Sequence, residues 1–204
     1  STLTITGMIT GYFLMNEMAV LPAILIGIAA ALLIGTLNGF MIVNLKINSL
    51  IATLGTQYVC RGFVYVMSGG SSFYPFPETF TVFGKGTLWN IPYSVFFAAA
   101  IVIIAALVLS KTVFGRQVYA IGGNGEAARL AGLNVSNLRR ILYILNALFA
   151  GLTGILRASR LGTSSPEAGT GVEMTIIAGV IIGGTSLTGG VGNMLGTVLG
   201  VALM

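Results

Sequence analysis

Long apolar runs alternate with short polar segments along almost the whole chain. No charged residue lies between Glu17 and Lys46, between Lys85 and Lys111, or from Glu173 to the end. A helix needs about 20 largely apolar residues to cross a hydrocarbon core about 30 Å thick. Because each of these gaps exceeds that length, the pattern predicts at least three membrane spans.

Three further segments are predicted to lie in the membrane, and charges border or interrupt two of them. Arg139, Arg140 and Arg157 border one of them and can extend to the two interfaces, whereas Arg61 interrupts another. The first residues resemble the end of an earlier span, so we expect the sequence to be an internal fragment. The predicted segments are about 1–16 (partial), 20–44, 47–69, 93–110, 138–158 and 174–204, the last forming one or two spans with a Gly-rich turn at 183–192. The predicted fold class is therefore all-α, a polytopic helical membrane bundle in which 1–204 form a single transmembrane domain.

Composition supports this class and supplies an orientation. The chain is 55% hydrophobic and 7% charged, far from the quarter of charged residues usual in soluble domains. The net charge of +5 does not indicate nucleic acid, since the basic residues cluster between apolar runs. Half of the ten basic residues lie in or beside the loop 111–137, which contains one acid, Glu126. The positive-inside rule places this loop in the cytoplasm and the segments 70–93 and 160–173 outside.

Small residues recur at intervals of four, which places them on one face of a helix. Such faces let membrane helices approach each other closely, so we predict close helix pairs along them. The predicted packing residues are Gly27, Ala31, Gly35, Gly39, Gly192, Gly196 and Gly200, with shorter repeats at Ala147 and Gly151 and at Gly179 and Gly183.

The cytoplasmic loop contains a short predicted helix. Asn124 can cap a helix that begins at Gly125, with Glu126 near its positive end, and Gly132 can end it. Ser136 is the predicted cap of the following helix. About two turns of helix are unstable alone in water, so the apolar surface of Ala127, Ala128, Leu130, Ala131 and Leu133 must dock either on a partner or on the cytoplasmic face of its own domain.

Polar residues within the spans are candidates for the transport path. A path for a polar molecule needs side chains that donate and accept hydrogen bonds. For most of these residues a hydrogen bond between helices is the simpler alternative, and for Arg61 an interfacial position. The candidates are Asn38, Thr53, Thr56, Gln57, Arg61 and Asn146.

The chain offers few groups for chemistry. It has no His and no Asp, and no spacing pairs a serine with an activating lysine, so neither a catalytic residue nor a metal site is predicted. The Gly-rich run at 183–192 lacks the lysine of a phosphate-binding loop, and it is predicted to be either a turn or part of a gate. An ion-coupled transporter would need acidic residues at membrane depth, which no span clearly has. Cys60 is predicted to be a buried, inert thiol.

Several sequence blocks resemble permease subunits of bacterial ABC importers of the ribose, xylose and galactoside type. The strongest lies in the cytoplasmic loop, where Gly115 to Asn124 reads GRQVYAIGGN and Glu126 to Leu133 reads EAARLAGL. The other blocks are TLGT at 53–56 followed by Arg61-Gly62, Leu161-Gly162 followed by GTG at 169–171, and IGGTSLTGG at 182–190. Their order and spacing match that family across nearly the whole chain.

The resemblance implies a non-enzymatic, sugar-importing subunit of the bacterial plasma (inner) membrane. It implies three protein partners: a second permease copy or paralogue, a periplasmic or extracellular sugar-binding protein, and an ATP-binding subunit that holds ATP and Mg, with no cofactor in this chain. The residues implied to contact that ATPase are Asn124, Gly125, Glu126, Ala127, Ala128, Arg129, Leu130, Ala131, Gly132 and Leu133. A permease for branched-chain amino acids is the nearer alternative, and an ion-coupled secondary transporter the more distant one.

Overall fold

The structure is a computed structural model that describes residues 1–204, and it is almost entirely helical. The all-α prediction is confirmed, since the only sheet is an antiparallel pair, β1 (Thr87–Leu88) and β2 (Ile91–Pro92). The helices are α1 (Thr2–Met15), α2 (Val20–Val43), α3 (Ser49–Ser68), α4 (Glu78–Lys85), α5 (Tyr93–Lys111), α6 (Val113–Gly123), α7 (Gly125–Leu130), α8 (Val135–Leu161), α9 (Val172–Ile182) and α10 (Met194–Ala202).

Three helices, α2, α5 and α8, are long and apolar enough to cross a membrane. The segment after Glu173, which carries no charge, consists of two helices separated by the Gly-rich run at 183–192, where the sequence predicts a turn. It contains α9 and α10, and the 11 residues of α9 extend only about 16 Å at 1.5 Å per residue. The helix breaks between them because Gly184, Gly189 and Gly190 adopt positive φ angles.

Residues 1–95 and 139–169 form one compact unit. Its apolar core has two parts, and the larger residues at their centres are Phe80 and Met8. Cys60 is buried in the second part beside Val64, as the sequence predicts. The unit is therefore held by side chains from α1, α2, α3, α4 and α8.

The stripe of small residues on α2 faces helices α1 and α8. Gly27 lies against Thr6 and Thr10 of α1, and Ala31 lies against Gly151 of α8. Gly35 lies against Ala147 and Ile144, and Gly39 lies against Arg140. Because the residues of this stripe carry no side chain larger than a methyl group, α2 is in close contact with both neighbours.

Substituting Gly35 should destabilise this unit, whereas a glycine without neighbours should tolerate the same change. A Cβ at Gly35 would lie 2.8 Å from the Cβ of Ala147 and 2.9 Å from the Cα of Ile144, so Gly35→Ala forces α2 and α8 apart. Overpacking of this kind costs about 1–3 kcal/mol. The control is Gly55→Ala, because a Cβ at Gly55 has nothing within 4 Å. Thermal unfolding in detergent measures both, and equal midpoints would contradict the close contact.

Residues 96–138 and 170–204 form a second compact unit. Within it, α9 and α10 make a helical hairpin whose backbones meet through glycines. Gly183 contacts Gly196, Gly179 contacts Gly200, and a Cβ at Gly192 would lie 3.2 Å from the methyl carbon of Thr185. The hairpin is therefore as closely packed as membrane helix pairs with small residues at their interface.

Candidate functional site

Helix α6 supports the site, and it lies within the segment 111–137 that the sequence predicts to be a loop. Thr112 caps it, since the Gly115 N–H donates to the Thr112 Oγ1 at 3.2 Å. Phe114, Val118 and Ile121 recur at intervals of four and three and form one apolar face. This spacing, together with a threonine before it, is the signal that could have predicted the helix.

Helix α7 begins where the sequence predicts. The Asn124 Oδ1 accepts hydrogen bonds from the N–H groups of Glu126 at 3.1 Å and Ala127 at 3.0 Å. The Asn124 N–H donates to the Ala120 carbonyl at 3.1 Å, so one residue ends α6 and starts α7. The two helices are thus joined without a flexible linker.

Glu126 and Arg129 form an exposed ion pair on α7. The Arg129 Nη2 donates to the Glu126 Oε1 at 2.6 Å, and about two thirds of each side chain is exposed. This hydrogen bond, and then the positive charge, lowers the pKa of Glu126, while the pKa of Arg129 is raised for the same reasons. Glu126 is therefore ionised at neutral pH and loses its charge only below the usual range for a glutamate.

The end of α7 is fixed by a left-handed glycine. Gly132 has a φ of +86°, the Leu133 N–H donates to the Ala128 carbonyl at 3.0 Å, and the Gly132 N–H donates to the Arg129 carbonyl at 3.0 Å. This is a Schellman ending, as the glycine predicted. The predicted cap at Ser136 is wrong, because α8 already begins at Val135 and the Asn134 Oδ1 accepts from the Asn137 N–H at 3.0 Å.

One face of α7 is buried within its own chain. Ala128 is 5% exposed and packs in a cluster with Ile121 and Leu138. Of the two surfaces that the sequence left open for Ala128, a partner and its own chain, the structure places it against its own chain, where it anchors the helix. The outward residues are Glu126, Ala127, Arg129, Leu130, Ala131 and Gly132, and Leu130 is 79% exposed. An apolar side chain so exposed on a two-turn helix is available to a partner.

The transport-path candidates do not form one cluster of free polar groups. The Thr56 Oγ1 donates to the Asn38 Oδ1 at 2.9 Å, which is the simpler alternative of a bond between helices. The Thr53 hydroxyl donates to the Ser49 carbonyl of its own helix at 2.8 Å. Gln57 and Arg61 are half-buried on α3 and have interactions of their own, whereas Asn146 is exposed on α8.

Two cavities in the first unit lie away from these candidates. One has a volume of about 240 Å³ and is lined by α1, the end of α8 and the segment after it, including Thr4, Arg157 and Ser164. The other, of about 600 Å³, lies beside α4 and is lined by Tyr74, Glu78 and Lys85 among others. Neither contains any of the six predicted path residues.

Comparison with known proteins identifies the family. The family model described as the permease component of the branched-chain amino acid transport system matches residues 1–204. The chain belongs to this permease family. With three helices long enough to span, it is a multi-pass helical membrane protein.

Curated relatives of this permease are named as transporters of sugars. It is 40% identical over 167 residues to the L-arabinose transport system permease protein AraH of Escherichia coli K12, an alignment covering 82% of this chain and 51% of that one. It is 35% identical to the L-arabinose ABC transporter permease protein AraH of Azospirillum brasilense, covering 100% and 60%. It is also 35% identical to the ribose import permease protein RbsC of E. coli K12, covering 100% and 65%. The permease thus spans between about half and two thirds of the relatives' length, and no solved structure matches it.

Proposed function

We propose that this chain is part of the permease subunit of an ATP-driven, binding-protein-dependent sugar importer. The observation that carries the proposal is the set of relatives named for arabinose, ribose and galactose, aligned over 82% to 100% of the chain. The glycine-lined contacts of α2 with α1 and α8 fit a compact helical body around a transport path.

The coupling element in this proposal is α7 with the residues that flank it, Asn124 to Leu133. Its inner face is anchored through Ala128, and its outer face presents Leu130 between Ala127 and Ala131. Leu130 would enter a groove on a separate ATP-binding subunit, while the ion pair of Glu126 and Arg129 orients the contact. The small alanine side chains allow the groove walls to come close.

The remaining partners follow from the same proposal. The ATPase subunit binds ATP and Mg and carries out hydrolysis, so this chain has no catalytic residue and needs no cofactor. An extracytoplasmic sugar-binding protein delivers the substrate, and a second permease copy or paralogue completes the path. The complex lies in the bacterial plasma (inner) membrane, with the loop 111–137 on the cytoplasmic side.

The proposed mechanism is a shift between two states of the permease. Closure of the ATPase moves the docked α7, and this favours one opening of the helical body over the other. Differential binding of the ATPase to the two states supplies the free energy, since a partner that binds both equally shifts nothing.

A branched-chain amino acid importer is the second candidate, and the description of the family model favours it. The sugar names of the relatives favour the first candidate. The two differ in the ligand and share the coupling geometry.

The test is to purify the full-length protein with its associated subunits and to identify what accompanies it. We expect an ATPase subunit to be recovered and the associated binding protein to bind L-arabinose, ribose or galactose. Recovery without any ATPase would overturn the coupling role, and a binding protein that binds only leucine, isoleucine or valine would overturn the sugar assignment.

A further inference from the structure

We infer that the glycine turn, defined as residues 183–193, is a second part of the coupling site: it is seated on the last turn of α6 and transmits the displacement of α7 to the α9–α10 hairpin. This inference rests on the proposed function, because it requires a partner that moves α7. It assigns positioning roles to Tyr119, Gly122 and the glycines at 189–192.

The contact between α6 and the glycine turn is made by two backbones. A Cβ at Gly122 would lie 2.6 Å from the backbone nitrogen of Gly190, and a Cβ at Gly189 would lie 2.7 Å from the Gly122 carbonyl oxygen. A Cβ at Gly190 would lie 2.6 Å from the Cα of Gly123. Real Cβ atoms do not approach backbone so closely, so only glycine permits this contact.

A hydrogen bond also joins α6 to the glycine turn, close to this backbone contact. The Tyr119 hydroxyl, one helical turn before Gly122, donates to the Gly192 carbonyl at 3.1 Å. The glycine turn is thus held at Gly189 and Gly190 by backbone packing and at Gly192 by a side chain. Contacts at separate points restrict rotation as well as translation of one segment on the other.

The glycine turn is itself stiff. The Ser186 N–H donates to the Val191 carbonyl at 3.0 Å and closes the loop. The hydroxyls of Thr185 and Thr197 lie 3.1 Å apart and tie the turn to α10. The Asn193 Oδ1 accepts from the Leu195 N–H at 3.0 Å and caps α10. A displacement at Gly189 therefore reaches the hairpin instead of being absorbed in the loop.

The connection from α7 to α6 is equally direct. Asn124 joins the two helices without an intervening linker, and Ala128 and Ile121 share one apolar cluster. Because packed interiors move as units and do not deform continuously, α7, α6 and the glycine turn would move together. The sequence left open whether 183–192 is a turn or a gate. In this arrangement it is a turn that transmits motion.

The test follows the exposure of the glycine turn while ATP is hydrolysed. Leu187, 77% exposed at the tip of the turn, is replaced by cysteine in a Cys60→Ala background. The protein is purified with its ATPase, and the rate of maleimide labelling is compared without nucleotide and with Mg-ATP plus vanadate. We expect the two rates to differ at least about fivefold, the lower end of usual coupling between sites.

Two neighbouring glycines supply the variant and its matched control. Gly122→Ala should remove the rate difference while the ATPase is still recovered and still hydrolyses ATP, because the added methyl separates α6 from Gly190. Gly123→Ala should keep the difference, because a Cβ there has nothing within 4 Å.

A tyrosine variant tests the same contact without adding a methyl group, so it remains informative if Gly122→Ala folds poorly. Tyr119→Phe keeps the ring and removes only the hydrogen-bond donor, and it should reduce the difference in labelling rate. Tyr58→Phe, at a side chain 68% exposed, is its control.

The outcomes separate this inference from the proposed function. A rate difference that survives both Gly122→Ala and Tyr119→Phe, or that is absent in the unsubstituted turn, would overturn the inference and leave the docking of α7 intact. Loss of ATPase recovery in Gly122→Ala but not in Gly123→Ala would show that the contact only seats α7, which also overturns it. Absence of any ATPase from the parent preparation would refute the proposed function itself.

Discussion

Leu130→Glu should abolish recovery of the ATPase subunit while leaving the fold of the permease unchanged. Leu130 is 79% exposed, and substitutions at such positions usually change stability by less than about 0.5 kcal/mol. In a groove, by contrast, the change removes a buried leucine worth about 1.5–3 kcal/mol and introduces a carboxylate without a partner. A total loss of about 3 kcal/mol weakens binding about 100-fold. Co-purification in detergent and a binding titration with the isolated ATPase measure this loss of affinity.

The control for this prediction is Leu45→Glu. Leu45 is 57% exposed and lies between α2 and α3, beside Lys46. Counting back through the predicted spans from the loop 111–137 places Lys46 in the cytoplasm as well. The Leu45→Glu variant should therefore be recovered with as much ATPase as the unsubstituted protein. If Leu45→Glu reduced recovery as much as Leu130→Glu, or if neither did, α7 would not be the docking element.

Ala128→Trp should destabilise the permease, and its neighbour Ala127→Trp should not. Ala128 is 5% exposed among Ile121 and Leu138, so an indole there overpacks a closed cluster at a cost of about 1–3 kcal/mol or more. The midpoint of thermal unfolding should fall, and proteolysis within 111–137 should become faster. Ala127 is exposed, so its tryptophan points away from that cluster.

The two tryptophan variants separate folding from docking. Ala127→Trp should retain the wild-type unfolding midpoint and lose ATPase recovery, because its ring occupies the space in which the groove wall must lie. An Ala128→Trp protein of wild-type stability would show that the cluster around Ile121 is loosely packed. Such a result would also remove the anchor on which the coupling proposal depends.

The sequence could predict the elements whose signals are local. Asn124 and Gly132 bound α7 through a cap and a left-handed ending, and both depend only on residues within one helical turn. Ser136 is the wrong cap for α8 because Asn134, two residues before it, also carries a side chain suited to capping and accepts from the Asn137 N–H. Phe114, Val118 and Ile121 have the apolar spacing of a helix, but the charged residues around them are typical of a loop.

The hydrogen-bond partners of the transport-path residues cannot be predicted from neighbouring sequence. Polar residues in apolar helices are rare enough to be found by inspection, but their partners lie on other helices. Asn38 and Thr56 are 18 positions apart and bond each other, and nothing in their spacing indicates this. The sequence also did not decide which way Ala128 points, because Ala127, Ala128 and Leu130 are spread around a helix of six residues and do not define one apolar face.

The sequence by itself determined the class of protein, the helical fold and the short helix in the charged loop. Apolar run length, charge position and capping residues decide these, and each acts within a single segment. The tertiary structure alone decided that Ala128 anchors α7 while Leu130 remains exposed, that the small-residue face of α2 lies against α1 and α8, and that the glycine turn rests on Gly122. A glycine marks a place where backbones can meet, but which backbones meet depends on contacts between residues distant in the chain.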